Sequence, residues 1–226
     1  MSSFSSQQLA EAHTKPRTIK THLAFSLLPK NLLDTCKVVY MFRNPMDNVL
    51  SALHHYKLVK IHSFVGTQDD FVDMYVDDLR NLYSPYGQHL REAWARRGHP
   101  NLHVVSFEEL KSDTRAQLCR LDAFLGTRLT DQQLENVLQK TSFKTMQDSD
   151  PFKTAGHDAY NRQVGEQEGL FVRQGEAYNR QVGEQEGLFA KLAGTWKEKI
   201  SQQQQEKLED WIKKNFTDYG IKFRFD

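Results

Sequence analysis

This sequence of 226 residues lacks long apolar runs, cysteine clusters and an excess of charge of either sign. Its apolar stretches fall short of the roughly 18 residues that a membrane span requires, so we expect a soluble protein that does not enter a membrane. The two cysteines, Cys36 and Cys119, have no metal-ligand pattern and no secretory leader precedes them, which predicts buried thiols in a reducing, cytoplasmic compartment. A net charge of +1, with acids and bases interspersed, gives no field that would attract nucleic acid. Any anion that the protein binds is therefore expected in a local pocket.

Two common ligand-binding patterns are also absent. The nine histidines are not accompanied by cysteines or carboxylates at zinc-ligand spacing, so the sequence predicts no metal. No Gly-x-x-x-x-Gly-Lys-Ser/Thr loop occurs, which makes a small kinase or a related nucleotide-binding module the least favoured alternative.

The most informative feature that is present is an apolar strand that runs into a polar turn and then a helix, over residues 37–51. Asn44-Pro45 marks the turn and the start of the helix. Arg43 then lies at the carboxyl end of the strand, where open α/β sheets bind ligands and where a helix amino terminus presents unpaired N–H groups to a phosphate. Ser51, two helical turns further on, can add a hydroxyl. The alternative is a purely structural pairing of Arg43 with Asp47.

A second candidate group of residues lies nearer the amino terminus. Residues 17–22 have the pattern of a short strand, and Lys20 and His22 share a face because residues two apart in an extended chain point the same way. An imidazole with a pKa near ~6.5 can take a proton from a hydroxyl at neutral pH, and an ammonium can neutralise charge on a transferred group. Lys20 and His22 thus form a candidate acid/base pair, with an ordinary hydrogen-bonded histidine as the alternative.

Strands that alternate with helical segments predict an α/β fold, in which helices flank a parallel sheet. We expect strands at residues 17–22, from Lys37 onward, and at 101–107, which leaves the sheet short of at least one member. Helices are predicted at residues 27–34, 47–60, 68–82, 86–97, 108–125, 131–140 and 201–216. The length of the chain and its 38% hydrophobic content favour a single domain over residues 1–226, with a loose start at 1–15.

An internal repeat stands out, since residues 159–171 recur without change as residues 177–189. Structural repeats normally drift in sequence and need about three copies to bury a core, so two identical polar copies indicate a tandem duplication. A polar segment rich in glycine, glutamine and glutamate gains little burial to offset its ordering entropy. We therefore expect residues 153–193 to be largely loop.

Taken in order along the chain, these segments resemble the cytosolic sulfotransferases, which transfer a sulfuryl group from 3′-phosphoadenosine 5′-phosphosulfate (PAPS) to a hydroxyl or amine. The segment from Pro16 to Leu23 resembles the one that carries the family's catalytic residues. This resemblance implies that His22 is the general base and that Lys20 contacts the transferred group. The segment from Tyr40 onward resembles the one that binds the cofactor 3′-phosphate, which implies that role for Arg43 and Ser51.

Three later segments extend the resemblance to the rest of the cofactor site. Phe107 stands where the family usually has a tyrosine against the adenine, and Thr141-Ser142-Phe143-Lys144 resembles the segment that frames the adenine, through Thr141 and Phe143. The segment Phe171-Val172-Arg173-Gln174-Gly175 resembles the phosphate-binding loop, with Gln174 in place of the usual lysine. The resemblance therefore implies PAPS as co-substrate, no metal, and a small-molecule acceptor such as a phenol, a steroid or another alcohol.

Departures from the family pattern leave a second interpretation open. Family members carry a loop of the type Tyr-Pro-Lys-Ser-Gly-Thr-Thr-Trp around the 5′-phosphosulfate, and this sequence starts after it. The duplicated copy also separates Arg173-Gln174-Gly175 from residues 194–197, and the homodimer motif is degenerate because only its ends, Lys197 and Glu206, match. The alternative is a truncated or splice-form sulfotransferase that is catalytically inactive, and that binds nucleotide weakly or acts only as an interaction partner.

Overall fold

Two parallel strands form the sheet in the part of the chain that the structure describes. The structure is a computed structural model, and it describes residues 12, 14, 16–78, 85–149, 159–169 and 196–225. Strand β1 (Val38–Phe42) pairs with β2 (Leu102–Ser106) so that Phe42 lies opposite Ser106. The carboxyl ends of both strands therefore meet at one edge, and the predicted α/β fold with a parallel sheet is confirmed.

The predicted strand at residues 17–22 is wrong. Residues 16–24 take no regular secondary structure, and Ile19 is 70% exposed. An alternating pattern indicates that a segment can join a sheet, but a strand also needs a neighbour for its backbone hydrogen bonds. Within the described residues β1 pairs with β2 alone, so residues 17–22 stay outside the sheet, and Val39 and Met41 on one face of β1 remain 44% and 53% exposed.

Helices supply most of the remaining regular structure of the described residues. In chain order they are α1 (Leu32–Thr35), α2 (Pro45–Leu58), α3 (Gln68–Val76), α4 (Tyr86–Trp94), α5 (Phe107–Ser112), α6 (Thr114–Leu125), α7 (Asp131–Lys140), α8 (Phe143–Asp148), α9 (Arg162–Glu168), α10 (Trp196–Lys199) and α11 (Gln202–Phe216). The predicted α7 agrees at both ends because Thr130 and Gln133 form a capping box that fixes its start. The predicted helix at 27–34 is replaced by a 3₁₀ turn at Phe25–Leu27 followed by α1.

Two further predictions of secondary structure are corrected. The helix predicted at residues 108–125 is two helices, α5 and α6, because Asp113 leaves the helical conformation (φ −151°, ψ 80°) and its side chain caps α6 at the N–H of Ala116. The segment predicted as loop, 153–193, contains α9, whose first N–H groups are accepted by the side chain of Asn161. Residues 170–193 and most of the predicted loose start at 1–15 lie outside the described residues.

The core lies where α2 crosses α3 and α11. Apolar side chains from all three helices are buried together: Met46, Val49, Leu53, Phe71, Val72, Tyr75, Leu208, Trp211 and Phe216. On α11, Leu208 and Trp211 are buried and Ile212 packs partly buried against them. This packing fixes α2, and α2 in turn carries the turn that follows β1.

The surface differs from the prediction at both cysteines. Cys36 follows α1 and Cys119 lies on α6, and both are exposed. On α6 the buried residue is Gln117. None of the helices that the structure describes has the length and apolar character required to cross a membrane.

Candidate functional site

A buried polar network joins the carboxyl ends of β1 and β2. Asn44 is fully buried and caps α2, since its side-chain oxygen accepts the N–H of Asp47 at 2.9 Å. The backbone N–H and the side-chain amide of Asn44 both donate to Glu108 Oε1, at 2.9 and 2.8 Å. Glu108, in the first turn of α5, is itself buried. The network therefore ties the two strand ends into one polar edge, and a carboxylate near each helix amino terminus suits the helix dipole.

Arg43 lies at this edge, as the sequence predicts. Its Nη2 is 3.8 Å from Asp47 Oδ1, and its guanidinium lies over the ring of Phe107 at 4.7 Å from the ring centroid. Burial lowers the pKa of the Arg43 guanidinium below its ordinary value, while the charges of Asp47 and Glu108 oppose that shift. The contact with the Asp47 carboxylate and the contact with the Phe107 ring both help to hold the guanidinium in place.

The backbone of Arg43 is also fixed. The Tyr86 hydroxyl donates to the Arg43 carbonyl at 2.5 Å and accepts its N–H at 3.2 Å. Burial raises the pKa of Tyr86, which keeps that hydroxyl protonated. Tyr86 is a contact that sequence reasoning missed, because it comes from α4, 43 residues away.

Ser51 follows Arg43 along α2. Residues Arg43, Asp47 and Ser51 are spaced four apart, so they fall on one face of the helix and its entry turn. Ser51 is exposed, whereas Asp47 is buried. The face therefore runs from the buried strand end toward solvent, which is open to a ligand that touches both Arg43 and Ser51.

His22 is held by a hydrogen-bonded relay that the sequence did not reveal. The carbonyl of His22 accepts from His89 Nε2 at 3.2 Å, and His89 Nδ1 lies 2.8 Å from the Tyr40 hydroxyl. Because a carbonyl can only accept, the neutral His89 ring donates from Nε2 and accepts from Tyr40 at Nδ1. Burial raises the pKa of Tyr40, which keeps that donor in place. The relay connects the middle of β1 to the segment that carries His22.

The environment of His22 favours its neutral form. Partial burial, the Lys20 ammonium and His89 lower the pKa of His22 below its ordinary value of 6.5. A neutral imidazole at pH 7 can accept a proton. Lys20 is exposed and close enough for its charge to act on His22, and the predicted acid/base pair stays a prediction.

A second histidine pair lies near this segment. His55 Nε2 and His62 Nε2 are 3.2 Å apart, and the ring of Tyr56 stacks on His62 at 4.3 Å between centroids. Burial lowers the pKa of both histidines, and His22 and Lys20 are close enough to contribute to the shift at His55. This cluster forms an aromatic wall beside the candidate base. Among the residues that the structure describes, no group of three or more histidine, cysteine or carboxylate side chains has the arrangement of a metal site.

The remaining predicted cofactor residues divide into two groups. Thr141 ends α7, and its hydroxyl donates to the carbonyl of Val137 at 2.8 Å, which is local capping. Phe143 begins α8, half-buried, after the cap residue Ser142. Phe171, Arg173, Gln174 and Gly175 lie outside the described residues. The structure thus places Arg43 and Phe107 in contact and leaves the other cofactor contacts as predictions.

A cavity of about 440 Å³ runs along β2 beside this edge. It reaches the polar network at Ser106 and Glu108, and Arg97, Lys222 and Arg224 line it as well. Its lining does not include Arg43 or His22. The chemistry that the site residues can perform is therefore placed at the open strand edge and not in this cavity.

Comparison with known proteins gives a consistent result. The family model described as a sulfotransferase domain matches residues 2–220. Mouse sulfotransferase 1A1 is 38% identical over 136 residues, which are 59% of this chain and 46% of the mouse protein. Retinol dehydratase in complex with retinol and PAP has a TM-score of 0.74 at 28% identity, over 96% of this chain and 59% of that one. Its complex with androsterone and the inactive cofactor PAP gives 0.70 at 29% identity, over 95% and 58%. The chain thus spans about half the length of the relatives that it matches.

Proposed function

This chain belongs to the sulfotransferase family, and from that premise we propose that it transfers a sulfuryl group from PAPS to a hydroxyl or amine of a small-molecule acceptor. The observation that carries the proposal is the contact of Arg43 with Phe107 at the carboxyl edge of the sheet. These are the two residues that the family resemblance assigns to the 3′-phosphate and the adenine. The retinol and androsterone complexes of a relative support an alcohol or steroid as the acceptor class, with a phenol as a further candidate.

On the cofactor side, Arg43 exchanges its long contact with Asp47 for a charge-assisted hydrogen bond to the 3′-phosphate. Ser51, on the same helix face, adds its hydroxyl. Phe107 offers a ring face to the adenine, and Thr141 and Phe143 are proposed to frame it. Phe171, Arg173, Gln174 and Gly175 are proposed to contact the phosphate, as the family resemblance implies.

On the acceptor side, His22 performs the proton transfer. Its neutral imidazole takes the proton of the acceptor hydroxyl, and the acceptor oxygen forms a bond to sulfur as the bond from sulfur to the cofactor phosphate breaks. The products are a sulfated acceptor, PAP and a protonated His22. The Lys20 ammonium stabilises the negative charge on the sulfuryl oxygens, and a single such donor contributes on the order of 3 to 4 kcal/mol in other enzymes.

A second candidate function is nucleotide binding without transfer. It is favoured by the exposure of the segment that carries Lys20 and His22, which lies outside the sheet. In this case the Arg43 edge binds PAP, but the base is not held firmly enough to act. The chain would then be a catalytically inactive sulfotransferase that binds nucleotide weakly or acts as an interaction partner.

One experiment separates these functions. Calorimetric titration with PAP is compared for the native chain, Arg43→Ala and Arg120→Ala, the last being an exposed arginine on α6 that serves as the matched control. Radiolabelled sulfuryl transfer to a panel of phenols and steroids is then measured for the native chain and His22→Ala. The enzyme function is supported if Arg43→Ala alone loses PAP binding and His22→Ala loses sulfuryl transfer. Binding without transfer supports the second candidate, and no binding by the folded native chain contradicts both.

A further inference from the structure

The first copy of the duplicated segment, residues 159–171, is docked at the C-terminal end of α2. Tyr160 is 3% exposed and forms an antiparallel bridge with Val59. The backbone N–H of Asn161 donates to the carbonyl of Leu58 at 2.8 Å. We name this surface the docking site, and it consists of His54, Lys57, Leu58, Val59 and Lys60.

The other end of the described part of this copy is held by charge. The Glu168 carboxylate lies 3.3 Å from His54 Nδ1 and 3.4 Å from Lys57 Nζ. Burial alone would raise the pKa of Glu168, but its bonds to His54 and Lys57 outweigh burial and lower it, so the group stays ionised at neutral pH. Helix α9 spans the distance between the two anchors and packs on α2.

The contacts described above all use residues of the first copy that lie inside the repeated unit. The second copy, residues 177–189, offers the same side chains and backbone groups in the same order and spacing, shifted by 18 positions. The carbonyl of Ala159 also attaches the first copy, by accepting the backbone N–H of Lys60. The counterparts of Ala159, Tyr160, Asn161 and Glu168 are Ala177, Tyr178, Asn179 and Glu186. An identical peptide has an identical intrinsic affinity for the docking site, so the chain between the fixed elements decides which copy is bound.

The connecting lengths favour neither copy strongly. With the first copy docked, 9 residues (150–158) precede it and 26 residues (170–195) follow it before α10. With the second copy docked through residues 177–187, 27 residues (150–176) precede it and 8 residues (188–195) follow it. The entropic cost of closing a loop rises with the logarithm of its length. Lengthening the upstream connection therefore costs nearly as much free energy as shortening the downstream connection gains. Eight residues reach up to about 30 Å when extended, and α10 packs on α2 itself, so the shorter connection suffices.

We propose that the docking site on α2 accepts either copy of the repeat, so that the second copy replaces the first within the same molecule by a shift of 18 residues. The occupant is the second copy in cis, because a tether of this length gives a millimolar effective concentration that a second molecule does not match at ordinary protein concentration. This proposal concerns the repeat alone and does not depend on sulfuryl transfer.

Disulfide trapping tests the exchange. Lys60 donates its backbone N–H to the carbonyl of Ala159 at 3.0 Å, so the two are cross-strand neighbours at a separation that suits a disulfide. In a Cys36→Ser/Cys119→Ser background, Lys60→Cys is combined with Ala159→Cys in one variant and Ala177→Cys in another. We expect both pairs to crosslink within single chains, at rates within about tenfold of each other, as measured by mass spectrometry.

Anchor substitutions distinguish docking from random collision. Added to the Lys60→Cys/Ala177→Cys variant, Tyr178→Ala is expected to slow trapping at least tenfold, and Tyr160→Ala is expected to accelerate it by removing the competitor. Glu186→Gln removes only the charged anchor and is expected to slow trapping in the same direction by a smaller factor. Near-ultraviolet circular dichroism verifies that each variant is folded. Trapping that Tyr178→Ala and Glu186→Gln leave unchanged, or crosslinks that form only between molecules, would overturn the proposal.

Discussion

The carboxyl edge of the sheet and the segment that carries Lys20 and His22 are held in very different ways. At the edge, Asn44, Asp47 and Glu108 are buried and joined by four hydrogen bonds. The segment at 16–23 is exposed, and a hydrogen bond from His89 Nε2 to the His22 carbonyl links it to α4. The carboxyl edge of the sheet is thus part of the buried core, while the segment that carries Lys20 and His22 lies on its surface.

On the proposed function, we expect this contrast to make cofactor binding and chemistry separable by substitution. A buried network with every member paired is rigid, and breaking one bond leaves a buried group without its partner. An exposed segment with few buried contacts can move at little cost in global stability. Changes at the edge should therefore alter the free energy of unfolding, and changes at the segment should alter activity.

The largest effect on the free energy of unfolding is expected for Asn44→Ala, which disrupts the polar network at the carboxyl edge of the sheet. The substitution removes the α2 cap, which contributes about 1 kcal/mol, and one of two Asn44 donors to the buried Glu108 carboxylate, which adds about 1–3 kcal/mol. We expect the free energy of unfolding to fall by roughly 2–4 kcal/mol, measured by urea denaturation followed by circular dichroism.

Asn136→Ala is the matched control for that substitution. Asn136 is exposed on α7, where its side chain accepts a hydrogen bond from Gln132. A surface change of this kind should stay within about 0.5 kcal/mol of the native chain. An Asn44→Ala protein that is as stable as this control would contradict the role given to the network.

His89→Phe should lower activity through the segment that carries His22 and leave PAP binding at the carboxyl edge of the sheet nearly unchanged. It removes the bond to the His22 carbonyl and the acceptor for Tyr40, so on the proposed function we expect kcat to fall about tenfold, which corresponds to about 1.4 kcal/mol. PAP affinity by calorimetry should change less than twofold. His89→Gln keeps a donor and an acceptor and should restore part of kcat. Equal losses in kcat and in PAP affinity would instead indicate that the two halves are coupled.

The two halves also differed in how much of them could be predicted from the sequence. The turn at Asn44-Pro45 was visible because capping is a local property, and Arg43 followed from the strand before it. Glu108 was not visible as the partner of Asn44, because it lies 64 residues away in the chain. Tyr40 and His89, the relay behind His22, are separated by 49 residues. Local signals thus located the strand end that carries Arg43 but not the contacts that hold it.

The incorrect prediction of a strand at residues 17–22 also arises because contacts between distant segments are not visible in a local pattern. Helix α7 was predicted to the residue because its hydrogen bonds and its capping box are internal to one segment. A strand makes its backbone hydrogen bonds to a neighbouring strand. Its sequence pattern therefore shows that a segment can pair, but not that a partner strand is present. In the described residues β1 has only β2 beside it. The assignment of Lys20 and His22 as an acid/base pair stays a prediction, since it was made from a strand that the structure does not contain.

Lys20→Gln tests, through the pH dependence of kcat/KM, whether His22 is the titrating base. The Lys20 charge is one of the causes, after burial, that lower the pKa of His22. Removing that charge raises the pKa of the base, so the acid limb of kcat/KM should move to higher pH. The profile is measured from pH 5 to 8, with the exposed Lys30→Gln as control. An acid limb that does not move would show that His22 is not the titrating base.

The smallest expected effect is on stability below pH 6.5, at the histidine pair beside the segment. Burial lowers the pKa of His55 and His62 in the folded state, so the unfolded chain binds more protons once the pH falls below the ordinary value of 6.5. Stability should therefore rise with pH through that window and be lost as the pH falls through it. His62→Gln removes one of these groups and should flatten the dependence between pH 5 and 6.5, measured by urea unfolding at each pH. Asn136→Ala, at an exposed and non-ionisable residue outside this cluster, should leave the slope unchanged. If the two variants flatten it equally, the pair at the segment is not the source, and the pH sensitivity must be sought in the core half of the molecule.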